Sequence, residues 1–335
     1  MTNTSRARGI SASTLLRTYG VVVALAVLIV FVALANRAFL SSTNLFNLTS
    51  QWAAVGVLAV AQTYVILTGG FDLSIGSGFA LCAVVAAAVG MNQDPLVAFT
   101  LAIIVGGLLG LLNAFLVAWV RINPFIATIG TGFIANGVAL VLSANTGYMV
   151  RNKDFLILGS GRVFGIPYSG MVLIAVFVVG GFVLARTVYG QWVYAVGGNA
   201  EASRLAGLPV RRVVGSTYVL SGLSMGLAGC LAASQVGSAS PNLNPTIVFD
   251  VLTAVVVGGT SLSGGVGSMW RTAVGLGIIA TVSNGFNILN VDSNYQNIVK
   301  GVIIIGALAL DSASQRLAEV PLLRRRRAGT EARTA

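Results

Sequence analysis

LVAFTLAIIVGGLLGLLNAFLVAWV runs from Leu96 to Val120 without one charged side chain. A bilayer core takes about 20 mainly apolar residues per helix, so this stretch is long enough to cross one. It carries three features that recur along the chain. Gly106 and Gly110 are spaced as GxxxG, a pattern that lets helices approach closely. Asn113 is a lone amide in an apolar run, and Trp119 stands near the end, where an interfacial belt would place it. Further apolar runs are expected to span at 20–36, 52–69, 73–91, 124–144, 169–187, 212–236, 247–260, 271–289 and 296–312. With 96–120 that makes about ten transmembrane helices. The segment 247–260 is the weakest, being short and holding Asp250.

Composition agrees. Of 335 residues, 56% are hydrophobic and 9% charged, against about 25% charged in soluble domains. Mean hydropathy is +0.89. A soluble enzyme is excluded, and long apolar runs do not fit the short alternating segments of a membrane β-barrel. The expected class is an all-α polytopic membrane protein. Its parts are an N-terminal tail at 1–19, a transmembrane domain at 20–312 and a basic C-terminal tail at 313–335. The first run lacks a small-residue cleavage site and reads as a retained span. There is no His, which removes His metal sites, Ser-His-Asp triads and His proton relays. Cys82 and Cys230 lie inside apolar runs, too far apart for a CxxC motif. No metal or cofactor is expected.

The net charge of +11 reflects sorting across a membrane rather than nucleic-acid binding, since no basic patch is interleaved with exposed aromatics. With ten spans both termini share one side, and fifteen of the twenty basic residues fall there, including Arg121, Arg204, Arg211, Arg212, Arg271 and Arg324 to Arg327. The positive-inside rule makes that side cytoplasmic. Were 247–260 not to cross, Arg271 and the Arg324 to Arg327 run would move outside and most of the asymmetry would vanish. Trp52, Trp192 and Trp270 also lie near expected span ends.

Three elements stand out. The inner loop reads YGQWVYAVGGNAEASRLAGLPVRR. Gly197 and Gly198 are expected to break the preceding segment, with Asn199 as N-cap, Glu201 in the first turn, Ala202 and Leu205 as helix formers, and Gly207 as the stop. The result is a short cytoplasmic helix, either a plain connector or a docking knob. Second, GGFDLSIGSG (Gly69 to Gly78) and GGTSLSGGVGS (Gly258 to Ser268) are similar strings. Their glycine pairs, Gly69–Gly70 and Gly258–Gly259, can end a helix, and Asp72 or Ser74, and Ser261 or Ser263, can cap the next. Alternatively the Gly-rich backbone, Gly264 included, packs close to a pathway or partner. Neither string is a P-loop, which needs GxxxxGK[ST]; the lysines are Lys153 and Lys300. Third, Gln62, Asn113, Asn136, Asp250, Asn284, Asn287 and Gln296 are polar residues inside or beside spans. They serve as interhelical glue or line a water-filled path. Asp250 lacks an evident basic partner, which argues against a proton relay. A path lined by amides and hydroxyls suits a neutral polyhydroxyl solute. Gly106 and Gly110, and Gly222 and Gly226, read as close packing within one chain, with a dimer contact as the other option.

GGFDLSIGS, NPFIATIGT (Asn123 to Thr131), YAVGGNAEASRLAGL and GGTSLSGGVGS, in that order, resemble the permease subunits of bacterial sugar ABC importers, of the ribose, xylose, arabinose and galactoside type. The resemblance runs from about residue 20 to 312. Phe71 stands where the family usually has Ile, and Ser203 where Ala is common. The resemblance implies a permease in the bacterial plasma membrane, paired with a second copy or a sister permease. It also implies a separate cytoplasmic ATPase pair and an extracytoplasmic solute-binding protein. Gly198 to Gly207 would be the coupling helix, with Glu201 its most distinctive charge. The cargo would be a monosaccharide. A nucleoside, a branched-chain amino acid or a sugar-like signal molecule is the alternative, and an ion-driven secondary transporter is a reading of a different class.

Overall fold

The computed structural model describes residues 12–292, 295–306 and 309. The expected C-terminal tail lies outside them. Each of the ten expected spans contains a helix among the described residues. Helix α1 is Ala12–Ala35, so it starts inside the stretch expected as an N-terminal tail. A 3-10 turn, Arg37–Leu40, leads to α2 (Ser42–Gln51) and α3 (Ala53–Leu67), which meet at a bend of 52°. Then come α4 (Ile75–Gly90), α5 (Pro95–Ala114) with a π-helical turn at Phe115–Trp119, and α6 (Pro124–Ser143). A short α7 (Lys153–Ser160) precedes α8 (Tyr168–Arg186), α9 (Val188–Gly198) and α10 (Ala200–Leu205). The long α11 (Val210–Val236), the short α12 (Ile247–Val257) and α13 (Met269–Ile288) follow, and residues 295–306 are again helical. Strands among the described residues are two-residue pieces: β1 (Tyr148–Met149), β2 (Arg162–Val163), β3 (Ile166–Pro167) and β4 (Ser238–Ala239).

Four helices are long and apolar enough to cross a membrane alone: α5 with its π turn, α6, α8 and α11; α2–α3 makes a fifth if the bent pair is one span. The fold is an all-α polytopic membrane protein. Trp52 sits in the bend between α2 and α3, only 9% exposed, with Lys300 Nζ 5.8 Å from its ring centre.

The two GxxxG pairs meet each other. A Cβ on Gly106 would lie 2.8 Å from the Gly226 nitrogen, and one on Gly110 would lie 2.9 Å from the Gly222 Cα. Helices α5 and α11 therefore touch backbone to backbone, and the packing is within one chain. The same side of α11 takes α4: a Cβ on Gly229 would meet the Ala83 nitrogen at 2.7 Å. Where lipid is as apolar as Leu, such close van der Waals contact is the main source of helix association.

At the end of the bundle opposite the glycine turns, β1 pairs with β4 and α7 folds inward. Phe155 is fully buried, and the Gly159 amide donates to Ser234 Oγ at 2.7 Å. From β4 the chain returns through an irregular stretch, 240–246, before α12 starts. Eleven helical residues rise only about 16 Å, about half of a hydrocarbon core of about 30 Å. The start of α12 is level with the middle of α11. Val248 lies 2.7 Å from where a Cβ on Gly76 would be, and Gly78 packs on Met225 near the centre of α11. The segment expected at 247–260 is thus a short helix entered from an irregular stretch, not a full-length helical span. Such backbone at membrane depth survives only when buried or lining a cavity.

Candidate functional site

The two similar glycine strings fold alike. Gly69 (φ +81°) and Gly259 (φ +87°) are left-handed and each closes a helix. In the first, the Gly70 amide bonds the Val65 carbonyl and the Gly69 amide the Ile66 carbonyl. In the second, Thr260 reaches Val255 and Gly259 reaches Val256. This is the same paired C-cap twice. Capping of the following helices by side chains is not what forms. Ser74 is the N-cap of α4, yet its hydroxyl turns back to Asp72. Ser261 and Ser263 precede the α13 cap, Ser268, because residues 260–267 make a tight turn of their own: the Ser261 amide donates to the Val266 carbonyl at 2.8 Å.

The two turns pack on each other and on the end of α9. The Gly265 amide donates to the Leu67 carbonyl at 2.9 Å. A Cβ on Gly264 would fall 2.9 Å from the Gly69 nitrogen and 3.0 Å from the Gly197 carbonyl oxygen. A Cβ on Gly265 would fall 2.8 Å from Gly198 Cα. Tyr194 adds a hydrogen bond from its hydroxyl to the Gly267 carbonyl, 2.9 Å. Contrary to the sequence expectation, Gly197 and Gly198 do not break α9, which runs on through both of them; they let it touch. The break comes at Asn199, whose backbone is extended.

From that break springs α10. Asn199 Oδ1 accepts from the Ala202 amide at 2.9 Å, and Gly207 (φ +83°) ends the helix. Ser203 is buried while Glu201 and Arg204 face outward as an ion pair. The Arg204 guanidinium, bonding the carboxylate, holds Glu201 below the usual carboxylate range. A cleft of about 1040 Å³ beside α10 is lined by Trp119, Arg121, Glu201, Arg204, Arg211 and Arg212.

Beneath the first turn lies a buried polar chain. Asp72 is fully buried and accepts from the Ser74 amide (3.0 Å), Ser74 Oγ (2.5 Å) and Ser221 Oγ (2.7 Å). Asn113 Nδ2 donates to Ser74 Oγ at 2.8 Å, and Thr131 Oγ1 donates to Asn113 Oδ1 at 2.6 Å. The Leu73 amide donates to Thr128 Oγ1 at 3.1 Å, and Tyr218 donates to the Phe71 carbonyl at 3.2 Å. The strings around Asp72 and Thr131 are thereby stitched together across α4, α5, α6 and α11.

Residues 44–308 match the model of a family described as the permease component of branched-chain amino acid transport systems. The chain belongs to this permease family. The permease is 39% identical over 289 residues to the ribose import permease protein RbsC of Bacillus subtilis (strain 168), covering 85% of this chain and 89% of that one. It is 35% identical over 308 residues to the L-arabinose ABC transporter permease protein AraH of Azospirillum brasilense, covering 92% and 91%. With the D-allose transport system permease protein AlsC of Escherichia coli (strain K12) the identity is 33% over 296 residues, covering 88% and 91%. No solved structure matches the chain. It is thus a multi-pass transport protein of the bacterial plasma membrane.

Within the permease the expected polar residues disperse. Asn113 is spent in the Asp72 chain. Asn284 pairs with Asn44, amide to amide, at 2.9 and 3.1 Å. Gln296 donates to Asn287 at 2.9 Å. Gln62 is fully buried in α3, with both polar atoms lacking a hydrogen-bond partner among the described residues. Asp250 has the basic partner the sequence did not reveal: Lys300 Nζ lies 2.7 Å away. The two are fifty residues apart, and no local pattern links them. Asn136, by contrast, lines a cavity. Sequence reasoning passed over Ser221, Thr131 and Tyr218. Tyr218 stands four residues before Gly222 on α11 and Ser221 three after Tyr218, so i, i+4 and then i, i+3 steps from that glycine reach both.

Proposed function

We propose that this permease forms the membrane pathway of an ATP-driven importer for a monosaccharide, a ribose-like pentose or a hexose. A separate cytoplasmic ATPase supplies the energy, a solute-binding protein delivers cargo from outside, and a second copy or sister permease completes the channel. The sugar cargo is supported by relatives that carry ribose, L-arabinose and D-allose in their names. The second cargo class is a nucleoside, branched-chain amino acid or sugar-like signal molecule, of which the family description names the branched-chain amino acid.

The observation that carries the ATP-driven reading is the seat of α10. This helix is rooted in α9, whose last turn is in backbone contact with both glycine turns. A push on α10 is therefore transmitted through main chain, without slack side chains between. Glu201 and Arg204 present a fixed charge pair to a docking groove, and the Arg-lined cleft beside them suits an acidic partner surface. ATP binding in the partner shifts the inward/outward equilibrium only through contacts that differ between the two states, and α10 is placed to make them.

The test is Glu201→Arg, which sets like charges side by side on α10. Membrane insertion and yield are expected to stay normal while uptake of labelled sugar falls by about tenfold or more, equivalent to about 1.4 kcal/mol of lost coupling. Normal uptake by this variant, or purification from native membranes without a P-loop ATPase, would overturn the coupling role.

A further inference from the structure

We infer that a cavity at the middle of the membrane, floored by the first turn of α4 and walled by α6 and the loop before α12, is a binding site for the neutral polyhydroxyl cargo. This rests on the sugar-importer reading and adds the residues that touch the solute. The cavity measures about 200 Å³. At about 30 Å³ per water it holds roughly seven waters, below the roughly 300–1,000 Å³ of drug-sized pockets. That is the scale of one small solute.

Its polar lining is Ser77 on α4, Asn136 on α6, and Asn242 and Asn244 on the irregular loop. None of the ten lining residues is charged. Amides and a hydroxyl each donate and accept, which matches sugar hydroxyls that do the same. A charged solute would find no counter-ion there and would keep its desolvation cost. Larger cavities among the described residues differ in kind: two are apolar crevices, and another is the Arg-lined cleft beside α10.

Depth and backbone support the same assignment. Gly76 and Ser77 lie level with the middle of α11, as the contact of Gly78 with Met225 shows. The loop carrying Asn242 and Asn244 puts an irregular chain level with the packed middle of the helices, and unwound backbone at such depth marks the solute sites of many transporters. The small residue at Gly76 is required, since a Cβ there would press on Val248 at 2.7 Å and push α12 off the floor. Both flanking helices are also tied to the α10 seat. The turn before α4 and the turn after α12 are the two that pack on Gly197 and Gly198. Movement of α10 would therefore shift Ser77 and Asn244 relative to each other, which is how a site is opened to one side and then the other.

The native cysteines make the test clean. Cys82 and Cys230 are both buried, so the assembled importer is expected to react little with a small anionic methanethiosulfonate. Asn136→Cys and the nearly isosteric Ser77→Cys place a thiol in the cavity. Both are expected to be modified in the intact importer, modification should cut uptake of labelled D-ribose, D-allose or L-arabinose by about tenfold, and the transported sugar should slow the modification. Stimulation of the ATPase by the loaded binding protein should persist. Absence of modification at both positions, or modification that leaves uptake unchanged, overturns the site. If the unmodified importer carries none of the three sugars, the cargo reading fails separately. Thiol accessibility needs no cargo and still decides whether the cavity is a water-filled site.

Discussion

Asn113 and Asn136 stand on neighbouring helices, α5 and α6, and look equivalent in the sequence: each is one amide in an apolar run. Their surroundings separate them. Asn113 is fully buried and has both ends of its amide engaged, by Ser74 and Thr131. Asn136 is half-buried and faces a cavity shared with Ser77, Asn242 and Asn244. A polar group in hydrocarbon has to be satisfied or has to face a path. The first amide is satisfied and serves the fold; the second is open and is free to serve a solute. Burial and partners, not residue type, divide the glue from the lining.

The largest effect expected from that division lies at Asp72, the hub of the satisfied chain. Asp72→Ala leaves the Ser74 amide and the Ser74 and Ser221 hydroxyls without their acceptor in a closed interior. Hydrogen bonds to a charged or buried acceptor contribute about 1.5–3 kcal/mol each. With partial rescue, a loss of about 3 kcal/mol is expected. At roughly 2–4 °C per kcal/mol, thermal unfolding in detergent should move down by roughly 6–12 °C. A midpoint within about 2 °C of the parent would mean that the chain is not a structural hub.

The next test sets the two amides side by side. Asn113→Ala is expected to cost about 1–3 kcal/mol, because it orphans a hydroxyl on either side. Asn136→Ala should stay within about 0.5 kcal/mol, as a substitution that touches no packed or bonded partner does. Unfolding midpoints of the two variants, measured in the same detergent, give the answer directly. Equal losses would erase the distinction, and a larger loss at Asn136 would reverse it.

Much of this fold was legible before any coordinates. Long apolar runs report helices because lipid leaves no other way to satisfy a backbone, and the glycine spacing in α5 and α11 reports a seam because only close backbones need it. The short α10 was legible for the same local reason: an Asn cap, an early Glu and a terminal Gly are encoded within ten residues. What stayed hidden depends on distance in sequence. Asp250 meets Lys300, and Asn44 meets Asn284, through packing that no short pattern records. The loop carrying Asn242 and Asn244 has no distinguishing pattern in the sequence; its level is set by the start of α12 packing against Gly76. The capping expected of Ser74 does not form because its hydroxyl donates to Asp72 and its oxygen accepts from Asn113 rather than from a helix amide.

The smallest effect belongs to a third class of polar group, neither buried nor lining a path. Glu201 and Arg204 are side chains exposed by 67% and 60%, so water screens their attraction and their contribution to stability is small. Their hydrogen bond nevertheless lowers the Glu201 pKa below its ordinary 4.5. The sign follows from linkage: a carboxyl whose folded pKa is lowered adds its stability above the unfolded value and loses it as pH falls through the folded one. Whatever the pair contributes should therefore be constant through neutral pH and disappear only below the ordinary carboxylate range. Thermal unfolding of the parent and of Glu201→Gln, compared from about pH 7 down to about pH 4, should show a small gap that stays flat and narrows only at the acid end. A gap that closes near pH 6 would place the titrating group elsewhere. A large gap at pH 7 would mean that Glu201 is held by more than Arg204, and that α10 is braced from within rather than left free to meet a partner.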